Sequence, residues 1–100
     1  MAIRHIVLFQ LTATDAETRD AHAAEMKERL EGLVGVVPDL LEMTVGRNVA
    51  FEGQNFDVAL DALFPDLAAL EAYGSHPAHV EVAEYIGTIR GDRAAIDFEV

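Results

Sequence analysis

Four side chains of this sequence have the types and placements that acid–base chemistry needs: His5, Tyr73, His79 and Asp97. His79 follows Pro77 by two residues, and proline suits the first turn of a helix. An imidazole in that turn sits at the positive end of the helix dipole. Imidazolium is disfavoured there, so the ring is expected to be neutral and able to accept a proton. Tyr73 precedes the Gly74-Ser75 break, and a turn there would fold its phenol back toward His79 as a hydrogen-bond donor to an oxygen gaining negative charge. His5 shares a strand face with Val7 and Phe9, where a half-buried imidazole needs a partner. Asp97 would supply that partner if the last strand ran beside the first. Each residue also has a plainer reading. His76 and His79 would cap the helix and face solvent, Tyr73 would be a core ring three residues from Leu70, and His5 would be a satisfied core histidine. Asp97 would be solvated or paired with Arg93 or Arg4.

Other chemistries fit poorly. The chain has no cysteine, which excludes disulfides, thiolate metal sites and a Cys nucleophile. His76 and His79 offer two metal ligands with Glu81 nearby, but the spacing identifies no third, so no metal is expected. No glycine-rich phosphate loop is present, and no cofactor is expected. Ser75 is the only serine and lies in a helix break without a nucleophile-elbow context. Eighteen acidic residues against seven Lys and Arg give a net charge of −11, which argues against nucleic acid or an anionic membrane as partner. No apolar run approaches a membrane span, and the opening MAIRHIVLFQL lacks a small-residue cleavage site after an apolar stretch. The expectation is one soluble, cytoplasmic domain over residues 1–100.

The elements that must position these residues can be read from periodicity. Ile3 to Leu11 is apolar on both faces, the mark of a central strand covered on both sides. Thr14 with Glu17 has capping-box spacing and opens an amphipathic helix carrying Ala16, Ala23, Met26, Leu30 and Leu33, with Gly35 as its stop. Leu41 to Asn48 reads as an edge strand, Val49 to Gln54 as the hairpin connection, and Phe56 to Phe64 as a strand of clear period two. Pro65 and Asp66 open a short helix broken at Gly74-Ser75, and Pro77 starts another that runs to about Gly91. Ile96, Phe98 and Val100 alternate with Ala95, Asp97 and Glu99 in a last strand. This order predicts an α+β ferredoxin-like βαββαβ plait with a four-stranded antiparallel sheet and helices on one face. The other face would carry Ile6, Leu8, Ile96, Phe98 and Val100 uncovered. Such a face calls for a partner, most simply a second copy, and two sheets packed face to face would form a dimeric α/β barrel.

The opening Ile3-Arg4-His5-Ile6-Val7-Leu8-Phe9 and the segment Val45-Gly46-Arg47-Asn48 carry a family resemblance. So do Leu70-Glu71-Ala72-Tyr73 running into His76-Pro77-Ala78-His79, and the terminal Asp97-Phe98-Glu99. In this combination the chain resembles the stress-responsive dimeric A/B barrel (Dabb) family. The resemblance implies a homodimer. Similarity to the olivetolic acid cyclase-type polyketide cyclase branch implies cofactor-free aldol cyclisation, with the catalytic His and Tyr falling on His79 and Tyr73 and a pocket His on His5. Where that branch has aromatic residues on the first helix, this chain has Ala23, Ala24 and Met26. The expected ligand is a small apolar carbonyl compound held by Val7, Phe9, Met26, Val58 and Leu60, with His79 as base, Tyr73 as oxygen donor, and His5 with Asp97 as polar groups of the pocket. The alternatives are a non-catalytic stress-associated dimer and a cofactor-independent monooxygenase-like enzyme of the same architecture.

Overall fold

The computed structural model describes residues 1–100. Its elements are β1 (Ile3–Leu11), α1 (Ala16–Glu31), β2 (Glu42–Arg47), β3 (Val58–Phe64), α2 (Leu67–Ser75), α3 (Pro77–Ile89) and β4 (Arg90–Glu99). The sheet order is β2-β3-β1-β4, with every neighbouring pair antiparallel. This is the expected plait, with β1 central and β2 at an edge.

The expected barrel is not what the chain forms. The sheet is open, and β2 and β4 end it as two separate edges. Closure needs strand number, tilt and stagger to agree, and about eight strands enclose an interior just wide enough for side chains. Four strands twisting by roughly 20–25° per neighbour make only a saddle. The apolar second face is real nonetheless: Ile96, Phe98 and Val100 are exposed on β4, and Ile6 and Leu8 are half-buried on β1.

β2 is one residue shorter at each end than the sequence reading and β3 starts at Val58 and not Phe56, and three further boundaries differ, each for a local reason. Asp15 caps α1 in place of Thr14, its carboxylate accepting from the Thr18 backbone N–H at 2.9 Å and the Thr18 hydroxyl at 2.7 Å. These bonds favour the ionised form and hold the Asp15 carboxyl below the usual carboxylate range. The helix ends at Gly32, whose N–H still reaches the Glu28 carbonyl at 3.0 Å, while Gly35 serves the following turn with φ at 87°. At the far end, α3 stops at Ile89, and β4 takes over at Arg90, five residues before the alternation becomes readable.

The helices pack on one face of the sheet. Inward residues of β1 (Val7, Phe9, Leu11) and β3 (Val58, Leu60, Ala62, Phe64) meet Ala23, Met26 and Leu30 of α1, Tyr73 of α2, and Val82 and Ile86 of α3. Phe64 is fully enclosed, with ring centroids 5.0 Å from Tyr73 and 6.3 Å from His5. It is the floor on which the candidate chemistry rests. Phe64→Ala should therefore lower the unfolding free energy by about 3–5 kcal/mol, the scale of an emptied aromatic site in a core, and Phe64→Leu by clearly less. Urea denaturation measures both; a loss below about 1 kcal/mol for the alanine variant would contradict this packing.

Candidate active site

His5 is the one polar side chain in the buried core. The β1 ladder places it directly opposite Asp97 of β4, so both side chains share the helix-facing side of the sheet. The Asp97 carboxylate accepts a hydrogen bond from His5 Nδ1–H. That bond sets the tautomer, leaving Nε2 as the ring's acceptor.

Tyr73 comes from the last turns of α2 and is buried between three rings, with centroids 5.0 Å from Phe64, 6.3 Å from His5 and 4.1 Å from His79. Burial pushes its phenol up to about 12, against a smaller opposing pull from Arg93. The group is therefore a hydrogen-bond donor throughout the neutral range.

The turn between α2 and α3 is a single residue wide. His76 ends one helix and caps the next, its Nδ1 accepting from the Ala78 N–H at 3.1 Å, with Pro77 at the first helical position. This tight reversal brings His79 back over Tyr73. His79 Nδ1 donates to the Gly74 carbonyl at 3.2 Å, which leaves its Nε2 lone pair available. Burial holds the His79 pKa below the ordinary imidazole value; the Gly74 carbonyl opposes the shift, and the charges of His5, Arg93 and His76 add to it. Of the two histidines in this turn, one is spent on capping and the other keeps a free ring nitrogen beside Tyr73.

His5, Tyr73 and His79 line a cavity of about 190 Å³ whose apolar walls include Val7, Phe9, Leu30, Leu60 and Ile86. Of the residues expected to hold a ligand, Val7, Phe9 and Leu60 line this cavity, whereas Met26 and Val58 are buried in the core and do not reach it. Arg90 and Arg93 line it as well, and sequence reasoning missed both. The one available signal was the even spacing between Arg93 and Asp97, which has meaning only once β4 is known to begin at Arg90. Arg4, considered as a partner for Asp97, pairs instead with Asp61 at 2.8 Å on the open face.

A second, wider groove of about 500 Å³ runs along Leu8, Gly46, Asn48, Asn55, Phe56 and Ala59. Its only charged lining residue, Arg47, is tied to Asp20 at 2.7 Å and Glu52 at 3.7 Å. It holds no acid–base pair, so the smaller cavity is the candidate site. No three His, Asp or Glu side chains converge anywhere as a metal site would require. No helix is long and apolar enough to cross a membrane.

The relatives of this chain agree with its topology. A dimeric protein of unknown function and ferredoxin-like fold from Bacteroides fragilis is 28% identical, with a TM-score of 0.90 over 99% of this chain and 96% of that one. A dimeric ferredoxin-like protein of unknown function from Thermobifida fusca is 27% identical, with a TM-score of 0.83 over 100% of this chain and 92% of that one. The hydroxynitrile lyase of Passiflora edulis shares the fold at 14% identity, with a TM-score of 0.81 over 99% and 93% of the two chains. No protein of curated function matches the sequence significantly. These likenesses single out no polyketide cyclase branch. The model of the stress responsive A/B barrel domain, Dabb, matches residues 3–100, nearly the whole chain, and the protein belongs to that family.

Proposed function

We propose that this protein is a homodimer that binds a small, largely apolar carbonyl compound and moves a proton at the carbon beside the carbonyl, without a cofactor, in aldol-type making or breaking of a carbon–carbon bond. The observation that carries this reading is the state of His79: a neutral ring with Nδ1 pinned to a carbonyl, its centroid 4.1 Å from that of a phenol that stays protonated, the two rings tilted at 44°. His79 Nε2 takes the proton, and the C–H electron pair moves into an enolate whose oxygen accepts a hydrogen bond from Tyr73. The enolate carbon then forms the new bond to a second carbonyl, and the proton on His79 passes to the resulting alkoxide. Burial and the Arg93 charge make the imidazolium a stronger acid than usual, which favours that return. His5, held by Asp97, is the second polar group facing the ligand.

The dimer is supported by the open face of the sheet. Ile6, Leu8, Ile96 and Phe98 would bury apolar surface against a second copy, with the Arg4–Asp61 pair among them. The Bacteroides and Thermobifida relatives are both described as dimeric.

Three outcomes follow. Deuterium exchange at the carbons beside the ketone of 5-oxohexanoate, followed by NMR in D₂O, should be accelerated by the protein and slowed about 10²–10⁴-fold by His79→Gln, with no change in sedimentation; equal rates in the variant would remove the base. The exchange rate should hold as pH falls past 6.5, because a depressed pKa keeps the ring unprotonated to lower pH, and should show no alkaline loss from the phenol below about 12. An acid limb at or above 6.5 would speak against His79. In sedimentation, the native protein should be a dimer and the double variant Ile96→Glu, Phe98→Glu a folded monomer, since each buried apolar side chain contributes roughly 1.5–3 kcal/mol. A native monomer at micromolar concentration would contradict the pairing.

A further inference from the structure

The cavity has a charged end that the proton-transfer chemistry leaves unexplained. Of the seven basic side chains, six are engaged within the chain. Arg4 pairs with Asp61, Lys27 with Glu31, Arg29 with Glu25, and Arg47 with Asp20 and Glu52. Arg19 donates to the carbonyls of Ala13 and Thr14, and Arg90 to that of Gly91. Arg93 has neither a carboxylate nor a carbonyl partner, in a chain with eighteen acidic residues. Arg93 is exposed at the rim of an apolar cavity, and its guanidinium is free to meet an anion that enters there.

The backbone also aims two guanidinium-bearing residues at this place. On a regular strand, positions three apart point to opposite faces, so Arg90 and Arg93 should diverge. Here the ladder pairs Phe9 with Arg93 but Leu11 with Arg90. β4 spends three residues where β1 spends two, and the extra one makes a bulge at Gly91-Asp92. The bulge restores both arginines to the side of the inward-facing Phe9 and Leu11, and both line the cavity. Re-aiming side chains is what such irregularities do beside sites.

We propose that Arg90 and Arg93 form the anion-recognising end of this cavity, and that its ligand is a keto acid whose carboxylate they hold while its carbonyl lies toward Tyr73 and the two imidazoles. This assignment rests on the carbonyl reading of the same site and adds the class of ligand. Arg93 and Asp97 are four residues apart along β4, about 13 Å at a strand's rise per residue. The two functional groups of the ligand are therefore separated by several carbons, with the long Arg side chain covering part of the distance. The cavity, at about 190 Å³, is below the ~300 Å³ at which drug-sized ligands begin to fit, so the acid is short. A guanidinium takes a carboxylate through paired N–H donors, which fixes orientation as well as charge.

Calorimetric titration of the native protein with 5-oxohexanoate and with the neutral amide of the same shape, 5-oxohexanamide, tests this. The acid should bind about tenfold or more tightly than the amide, the scale of charge-assisted hydrogen bonding, and the preference should shrink with added salt. Arg93→Gln should erase the preference by weakening the acid far more than the amide, Arg93→Lys should restore part of it, and Arg90→Gln should reduce it. Equal binding of acid and amide, no binding of the acid, or a preference that survives Arg93→Gln would overturn the assignment. So would an effect of Arg93→Gln on sedimentation in place of ligand binding. The two readings separate cleanly. Arginine-dependent binding of the acid with no deuterium exchange would defeat the base and keep the anion end. Exchange with no discrimination between acid and amide would do the reverse.

Discussion

The site depends on one constraint: a buried imidazole must have a hydrogen-bond partner, and for His5 that partner lies 92 residues away in the chain. Asp97 can reach it only if β4 lies antiparallel beside β1 in the register that sets positions 5 and 97 opposite each other. A slip of one residue would turn Asp97 to the open face and leave His5 alone among apolar neighbours. The same register brings Ala95 opposite Val7 and Arg93 opposite Phe9, so one polar contact indexes the whole inward face of the last strand.

From that face the remaining parts follow by packing. Phe64 fills the space under His5 and Tyr73, and Tyr73 in turn carries His79. The one-residue joint at His76 is what allows a helix-terminal tyrosine and a first-turn histidine to pack ring against ring. Pro77 needs no N–H at that position, and the His76 ring supplies the cap acceptor. Burial acts on these two neighbouring groups in opposite directions on the pH scale and with one consequence. It keeps the phenol protonated and the imidazole neutral, so a donor and an acceptor coexist over a broad range of pH.

Much of this was legible in the sequence wherever period and punctuation were strong. The β1 limits, Ile3 to Leu11, could be read because a central strand is apolar on both faces. The alternation read from Phe56 to Phe64, which is a strand from Val58 onward, and the break before Pro77 were equally clear. The facing of His5, and its proximity to Asp97, came from topology alone. What escaped had no local signal. Arg90-Gly91-Asp92-Arg93 has neither alternation nor apolar content, and it is a strand only because β1 offers it backbone partners; its bulge, and the convergence of its two arginines, are tertiary facts. Met26 obeyed the helical period, which shows that a residue faces inward but not whether it meets a core or a cavity. The uncovered apolar face was readable too, but the geometry that completes it was not, and the sheet is open.

The proposed chemistry requires His79 to be a neutral ring with its Nδ1 proton held by the Gly74 carbonyl. Nitrogen-15 NMR of the imidazole rings across a pH titration addresses it without any ligand. His79 should carry its proton on Nδ1 at neutral pH and titrate below the ordinary value of 6.5. A ring protonated on Nε2, or one that becomes imidazolium at or above 6.5, would contradict it.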